Sequence, residues 1–185
     1  MVTIDKRLKP EEIEILHQLI GQDLISVRHD EFLFANSSSQ VVGFEIKDRF
    51  VYLYSFTEPL DYFGSIEDVA VWEVSEEKYQ FVDNKSLISS PVKEPIKEIH
   101  IIQENQQLFE DGKQTYNVWV TRGIIFDFGD YQYSFEKPIW FSSDILIQKG
   151  YNLIDKFASV EKFENDDWSD NCIAKCGRET VVIKQ

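Results

Sequence analysis

The sequence predicts an α+β fold that is mostly antiparallel β, with two related halves that form a sandwich or flattened barrel and with an N-terminal helix. Three observations predict this class. An eight-residue phrase occurs twice, apolar residues alternate in runs of strand length, and helical periods do not alternate with the strands as they do in a doubly wound sheet. We expect one compact domain over residues 1–185, with repeat halves at about 21–90 and 94–183.

The repeated phrase occupies residues 52–59 (YLYSFTEP) and returns 79 residues later at residues 131–138 (YQYSFEKP), with five positions identical. Because similar residues surround both copies in the same order, the pattern indicates an internal duplication; the alternative is chance similarity between two aromatic hairpins. We expect each copy to contribute one aromatic strand face to a shared core. The flanking matches are 43–46 with 123–126, Phe63 with Phe141, and 68–71 with 144–147.

A helix is predicted near the N-terminus, after a short lead-in at residues 1–9. Pro10 suits a first helical turn, and Glu11 and Glu12 complement the helix dipole there. Gly21 is a suitable stop. The apolar residues at helical spacing are Ile13, Leu16, Leu19 and Ile20.

Strand periodicity follows in both halves. The first half contains a loosely alternating segment at 23–29 and strands at 41–46, 50–56 and 68–74, with Phe32 and Phe34 beside the turn at 36–39. A segment rich in Ser, Lys and Pro, 85–95, connects the halves. The second half contains strands at 96–102, 116–121, 123–128, 131–135, 144–148 and 180–183, with a polar stretch at 103–114 and another at 161–170.

The chain is acidic, with 33 Asp and Glu against 19 Lys and Arg and a formal net charge of −14. This balance disfavours nucleic acid and anionic membranes as partners, because both require clustered cations. It would speed association with a basic protein, although many acidic proteins have no such partner. No apolar run approaches the ~18 residues of a membrane span, and no export signal opens the sequence, so we expect a cytoplasmic protein.

Common catalytic and ligand-binding motifs are absent from the sequence: it contains no P-loop, no GxGxxG, no GxSxG and no HExxH pattern. His17, His29 and His100 are not spaced as a pair of metal ligands. Cys172 and Cys176 would share one face of a helix, but with no third Cys or nearby His they do not predict a zinc site. We therefore predict no catalytic residues, no metal and no cofactor.

Two acidic segments with interleaved aromatic residues form the predicted partner-binding surface. The first, residues 58–77, contains no Lys or Arg, and the second, residues 161–170, contains one Lys. Aromatic anchors inside an acidic rim suit a surface that receives a basic protein. The alternative is a solvated acidic face whose aromatic residues turn inward. The predicted contact residues are Asp61, Tyr62, Glu67, Asp68, Trp72, Glu73, Asp166, Asp167 and Trp168.

These features predict a non-catalytic binding protein. In its small size, acidity and lack of a catalytic motif the chain resembles immunity-type proteins that neutralise bacterial toxins, and this resemblance implies a basic protein as partner. A second hypothesis is a small-ligand-binding β domain, with a pocket between the halves lined by Tyr52, Tyr54, Tyr131 and Tyr133. A third is a carboxylate-dependent enzyme, which paired buried acids in a cleft would indicate. The oligomeric state stays open, because an exposed edge strand could pair two copies.

Overall fold

The computed structural model describes residues 1–32 and 36–185 as two sheets of mostly antiparallel strands, which face each other and do not close into a barrel. Phe34 lies outside the described residues. The strands, in chain order, are β1 (Val2–Lys6), β2 (Asp23–His29), β3 (Ser37–Ser39), β4 (Val41–Ile46), β5 (Arg49–Tyr62), β6 (Ser65–Ser75), β7 (Ile88–Pro95), β8 (Glu98–Glu110), β9 (Lys113–Asp127), β10 (Gln132–Glu136), β11 (Asp144–Gly150) and β12 (Cys172–Ile183).

The larger sheet has the order β12-β8-β9-β10-β11-β3, with β1 paired in parallel to β9, and the smaller sheet has the order β6-β5-β4-β2-β7. Each sheet contains a three-strand meander, β9-β10-β11 in the larger and β4-β5-β6 in the smaller. The two copies of the repeated phrase lie on the middle strands, β10 and β5. Beyond its pairing with β4, strand β5 continues with β6 as a long hairpin.

The main core fills the space between the sheets. Phe44 of β4 is fully buried and contacts Phe126 and Phe135 of the opposite sheet, with ring centroids 4.7 and 5.0 Å apart. From β5, Val51 and Leu53 point into this core, because alternate residues of a strand share a face. Apolar side chains from both sheets thus hold the two layers together.

Helix α1 (Pro10–His17) packs against the same core through Leu16. The Glu12 carboxylate is buried and accepts hydrogen bonds from the Lys9 N–H (2.6 Å) and the Val74 N–H (3.0 Å), which ties the helix start to β6. The residues before the helix, predicted as a lead-in, form strand β1. The helix ends at His17, earlier than the expected stop at Gly21.

Several strands are longer than the sequence pattern predicts. Residues 88–95, interpreted as a connection, form edge strand β7, and the polar stretch after residue 102 continues β8 to Glu110. The last strand begins at Cys172, so Cys172 and Cys176 lie on a strand and not on a helix. Polar side chains fit these positions because an antiparallel strand can leave one face to water.

The two copies of the phrase face opposite directions. Tyr52 and Tyr54 lie in a separate cluster on the outer face of the smaller sheet, whereas Tyr133 belongs to the main core and Tyr131 packs against it. The expectation that both copies contribute aromatic faces to one core is therefore wrong. The residues that alternate with the tyrosines explain the difference. Beside and within the first copy they are Val51 and Leu53, which take the inner face, whereas in the second copy they are polar.

Gly123→Ala is expected to lower the free energy of unfolding by about 2–3 kcal/mol in urea denaturation. A Cβ atom at residue 123 would overlap the Phe135 carbonyl oxygen on β10 and lie 2.9 Å from Phe157 Cε2. Strand β10 cannot move away from Gly123 on β9, because β11 is paired with it on the other side. Gly43, the aligned position in the first half, is the control: its nearest neighbour is Tyr52 Cε1 at 3.5 Å. An equal loss for Gly43→Ala would contradict the explanation.

Candidate functional site

One concave site brings together residues from both predicted acidic segments. It has a volume of about 210 Å³ and lies beside the tip of the β5–β6 hairpin. We call it the aromatic groove. Its lining residues are Tyr62, Arg122, Pro138, Ile139, Trp140, Phe141, Ala158, Lys162, Phe163, Asp166 and Trp168.

The hairpin tip sets the position of Tyr62 and docks on the second acidic segment. Phe63 and Gly64 form a two-residue turn with positive φ values of 55° and 92°. A bulky residue rarely adopts this conformation, so the surrounding contacts must hold it. The Phe63 ring lies 5.2 Å from that of Phe163 and 5.4 Å from that of Trp168.

A second wall follows directly from the repeated phrase. Residues 138–141 leave β10, and the Trp140 carbonyl accepts a hydrogen bond from the Ala70 N–H of β6 at 2.6 Å. This bond joins the wall to the hairpin. The Phe141 ring meets Tyr62 edge-on at 5.5 Å and is 52% exposed, so it contributes little to the core and is available for contact.

The third wall is formed by the short helix α2 (Glu161–Glu164) and the loop after it. Trp168 Nε1–H donates to the Phe163 carbonyl at 2.7 Å, which fixes the indole ring against the helix. The Glu164 carboxylate accepts the Cys176 N–H of β12 at 2.9 Å. The wall is therefore attached to the outermost strand of the larger sheet.

Arg122 lies at the base of the groove. Its guanidinium stacks over the Trp140 ring, 4.5 Å from the centroid, and its side chain is only 6% exposed. Its Nε–H donates to Glu104 at 3.1 Å and its Nη1–H to the Lys137 carbonyl at 2.7 Å. Within residues 1–32 and 36–185 the structure shows no acceptor for Nη2. The base therefore offers a charged donor in an aromatic surrounding.

Behind the base lies a buried polar network made of Glu104, Gln106, Arg122 and Arg178. Glu104 also accepts hydrogen bonds from Arg178 Nε–H and Nη2–H, at 3.1 and 2.5 Å. The Tyr62 hydroxyl donates to Gln106 at 2.7 Å, so the network reaches the groove wall, and burial raises the pKa of this hydroxyl. The network fixes the positions of Tyr62 and Arg122 relative to each other.

The rim of the groove carries exposed acids of the second segment, although the lining itself holds one acid, Asp166, and two cations, Arg122 and Lys162. Asp166, Asp167 and Asp170 are exposed, and Lys162 is the exposed cation among the lining residues. Asp61 is half-buried at the hairpin tip, where it accepts hydrogen bonds from the Tyr116 hydroxyl and the Gly64 N–H, both at 2.9 Å. The structure thus combines exposed carboxylates with half-buried aromatic rings.

Other predicted contact residues lie elsewhere. Glu67 and Asp68 are on β6, opposite Leu60 and Pro59, and do not line the groove. Trp72 is buried, and its Nε1–H donates to the Thr121 carbonyl at 2.9 Å. Glu73 accepts a hydrogen bond from the Tyr79 hydroxyl at 2.6 Å. Trp72 and Glu73 instead line a depression of about 310 Å³ beside β1, where Lys6, Arg7 and Lys9 alternate with acids.

The four tyrosines of the ligand-pocket hypothesis are not brought together. Tyr52 and Tyr54 face the outer cluster, where the Tyr54 hydroxyl donates to the Glu77 carbonyl at 2.9 Å. Burial raises the pKa of the Tyr54 hydroxyl to about 12. Tyr131 and Tyr133 are on the other sheet and stack under Lys149. No pocket joins the two pairs in the described part of the chain.

Two buried carboxylates, Glu104 and Glu136, bear on the enzyme hypothesis. Glu104 is held by two arginines, and Glu136 accepts the Ala158 N–H at 2.8 Å. Burial raises the pKa of Glu136. Neither residue lines the aromatic groove, so the arrangement does not place two acids beside a bound substrate.

Lys137 is a further charged residue in the interior. It is fully buried, its Nζ donates a hydrogen bond to Ser55 Oγ, and the same nitrogen lies 3.9 Å from the centroid of the Trp72 ring. Burial lowers the pKa of the amine well below its ordinary value. Some hydrolases activate a serine with a lysine, but here both side chains are enclosed on all sides. The pair joins the two sheets across the core.

Among the described residues no group of three His, Cys, Asp or Glu side chains is arranged to hold a metal ion. No helix in residues 1–32 and 36–185 is long and apolar enough to cross a membrane. Comparison with known proteins gave no matching family model, no matching curated protein and no matching solved structure.

Sequence reasoning identified Tyr62, Asp166 and Trp168 but missed Arg122, Trp140 and Phe141. The alignment of Phe63 with Phe141 contained a usable signal, because both residues follow a copy of the phrase and both contact Tyr62. Arg122 carried no such signal. It precedes Gly123 in an apolar run, where a buried arginine is not expected.

Proposed function

We propose that this chain is a non-catalytic binding protein that engages a basic protein through the aromatic groove and its acidic rim. The observation that supports it best is the meeting of the two acidic segments at one concave site. Tyr62 comes from the first segment, and Asp166 and Trp168 come from the second. An immunity- or inhibitor-type role, in which the acidic surface covers a basic toxin or enzyme, agrees with this chemistry.

The size of the groove favours a protein partner over a separate small ligand. Pockets for drug-sized ligands usually have volumes of about 300–1,000 Å³. The aromatic groove, at about 210 Å³, is smaller and open on one side. It suits one inserted side chain, with the surrounding rim covered by the rest of an interface.

The chemistry of the aromatic groove indicates which kind of partner segment would bind there. The walls offer Trp140, Phe141 and Trp168 to an apolar side chain or to the stem of a long basic one. At the base, Arg122 Nη2 can donate to a backbone carbonyl of the partner. At the rim, Asp166 and Asp167 face water and can pair with Lys or Arg side chains.

Charge reversal at the rim tests the proposal. Asp166→Lys/Asp167→Lys is expected to reduce capture of the partner at least tenfold, because it replaces two attractive charges by repulsive ones. Phe141→Ala is expected to weaken capture by a similar factor through loss of an anchor. Tagged chains would be incubated with native lysate, bound proteins quantified by mass spectrometry, and affinities for the recovered basic protein measured by calorimetry at low and high salt.

Asp48→Lys is the matched control. Asp48 is exposed in the turn before β5, at the opposite end of that long strand from Tyr62, and its reversal changes the net charge by the same amount per residue. We expect it to leave capture close to that of the unmodified chain. Capture that is insensitive to salt and to the Asp166, Asp167 and Phe141 substitutions would overturn the proposal.

A common origin of the two meanders is also proposed. The same order of elements surrounds both copies of the phrase, and each copy lies on a middle strand. Their facing differs, which a change in the polarity of the alternate residues after duplication accounts for. Function, by this view, arose where the halves differ, beyond Pro59 and Pro138.

A further inference from the structure

We infer that β12 pairs with β12 of a second copy of this chain, in an antiparallel register centred on Gly177. Strand β12 has twelve residues and, within the described chain, pairs with another strand, β8, on one side only. An unpaired strand edge of this length, without proline, is a template for a further strand. The inference does not depend on the proposed partner at the groove.

The even-numbered residues of β12 point their backbone N–H and C=O groups away from β8. The Cys172 N–H donates to the Ser169 carbonyl at 2.8 Å and the Cys176 N–H donates to Glu164 at 2.9 Å, so neither bonds to β8. Alternate residues of an antiparallel strand point their backbone groups to the same side. In the inferred register Cys176 and Arg178 of the two copies exchange hydrogen bonds, and the two Gly177 residues meet as a non-hydrogen-bonded pair.

The odd-numbered side chains select this register. Lys175 lies opposite the other copy's Glu179, twice by symmetry, and Ile173 lies opposite its Val181. Ile173 is 59% exposed and Val181 is 38% exposed, so both leave apolar surface open to water in the single chain. Gly177 has open space where a Cβ would stand, which suits the close approach at the centre.

Neighbouring registers are less favourable. A centre at Lys175, Arg178 or Glu179 places two like charges directly opposite each other, which destabilises a strand pair. A centre at Cys176 places Lys175 opposite Gly177 and leaves it without an acidic partner. The centre at Gly177 therefore combines two ion pairs with two apolar pairs and has no like-charge contact between directly opposite residues.

Two features oppose the pairing. Each copy carries a net charge of −14, but at physiological ionic strength charges are screened over about 8 Å. The Ser169 carbonyl occupies the Cys172 N–H and the Glu164 carboxylate occupies the Cys176 N–H, so the second strand must replace both hydrogen bonds with its own. Glu164→Ala removes one of these competitors and is expected to strengthen the association.

Disulfide trapping tests the register. In a Cys172→Ser/Cys176→Ala background, Gly177→Cys is expected to form a covalent dimer on mild oxidation, because the two Cα atoms lie about 4.5 Å apart in a non-hydrogen-bonded pair. Lys175→Cys is the matched control: its two copies stand four residues out of register, about 14 Å apart. A mixture of the Lys175→Cys and Glu179→Cys chains is expected to cross-link as a heterodimer.

Charge exchange gives a second readout, by light scattering over a concentration series. Lys175→Glu or Glu179→Lys alone is expected to weaken the dimer about tenfold, since two attractive pairs become repulsive. The double variant Lys175→Glu/Glu179→Lys is expected to recover the original association. A single-chain mass at every concentration, equal cross-linking of Gly177→Cys and Lys175→Cys, or no recovery in the double variant would overturn the inference.

Discussion

Glu104→Gln is expected to lower the free energy of unfolding by about 3–5 kcal/mol, as measured by urea denaturation. The substitution leaves the Arg122 and Arg178 guanidiniums side by side without the carboxylate that accepts hydrogen bonds from both. Their side chains are 6% and 18% exposed, so water replaces that carboxylate only in part. The loss should therefore greatly exceed that of a surface ion pair.

Glu77→Gln is the matched control, because Glu77 is exposed and its carboxylate has no role in the core. Its effect should stay within about 0.5 kcal/mol. Replacing the charges together, as Glu104→Met/Arg122→Met/Arg178→Met, should recover much of the loss, since an apolar cluster leaves no unpaired charge behind. If Glu104→Gln cost no more than the control, the network would not be holding the groove in place.

Ser55→Ala/Lys137→Met is expected to raise the free energy of unfolding at neutral pH by about 1–3 kcal/mol. The double variant removes a buried amine and its only hydrogen-bonding partner in the described chain, and it leaves neither group unpaired. Ser55→Ala alone should instead lower stability by about 1–3 kcal/mol, because the amine then stays buried without its hydroxyl. Urea denaturation of the three chains separates these outcomes.

The pH dependence should identify the amine as the cause. The folded pKa of Lys137 lies below its ordinary value of 10.5, so between these two values the unfolded chain binds more protons than the folded chain. The stability of the unmodified chain should therefore rise with pH, relative to that of the double variant, as the pH approaches 10.5 from below. Ser55→Ala should keep this rise. Parallel profiles for the double variant and the unmodified chain would show that Lys137 does not titrate differently on folding.

Antiparallel strands and the apolar core could be predicted because they depend on local alternation. In β5, Val51 and Leu53 alternate with Tyr52 and Tyr54, and both sets are buried, so the alternation predicts the strand but not which of its faces points to the main core. The second copy of the phrase is different. The polar alternates in the second copy require its aromatic residues to point inward.

The aromatic groove was only half predictable. Tyr62, Asp166 and Trp168 belong to segments whose composition already indicated a surface for a partner. Arg122 and Glu104 become neighbours only through the register of β8 with β9, and no local pattern encodes such a contact. The same holds for Ser55 and Lys137, which are 82 residues apart in sequence and meet across the two sheets.

Helix α2 contacts both the aromatic groove and the free edge of β12. Phe163 forms part of the groove wall, and the next residue, Glu164, occupies the Cys176 N–H on the free edge of β12. By the proposal made above, a partner that repositions this single helical turn would also change how readily the hydrogen bond between Glu164 and the Cys176 N–H is released. Linkage makes such an effect reciprocal: pairing at the edge would change affinity at the groove by the same factor. Under the two proposals together, the four residues of α2 are the element that would couple the groove to the β12 edge.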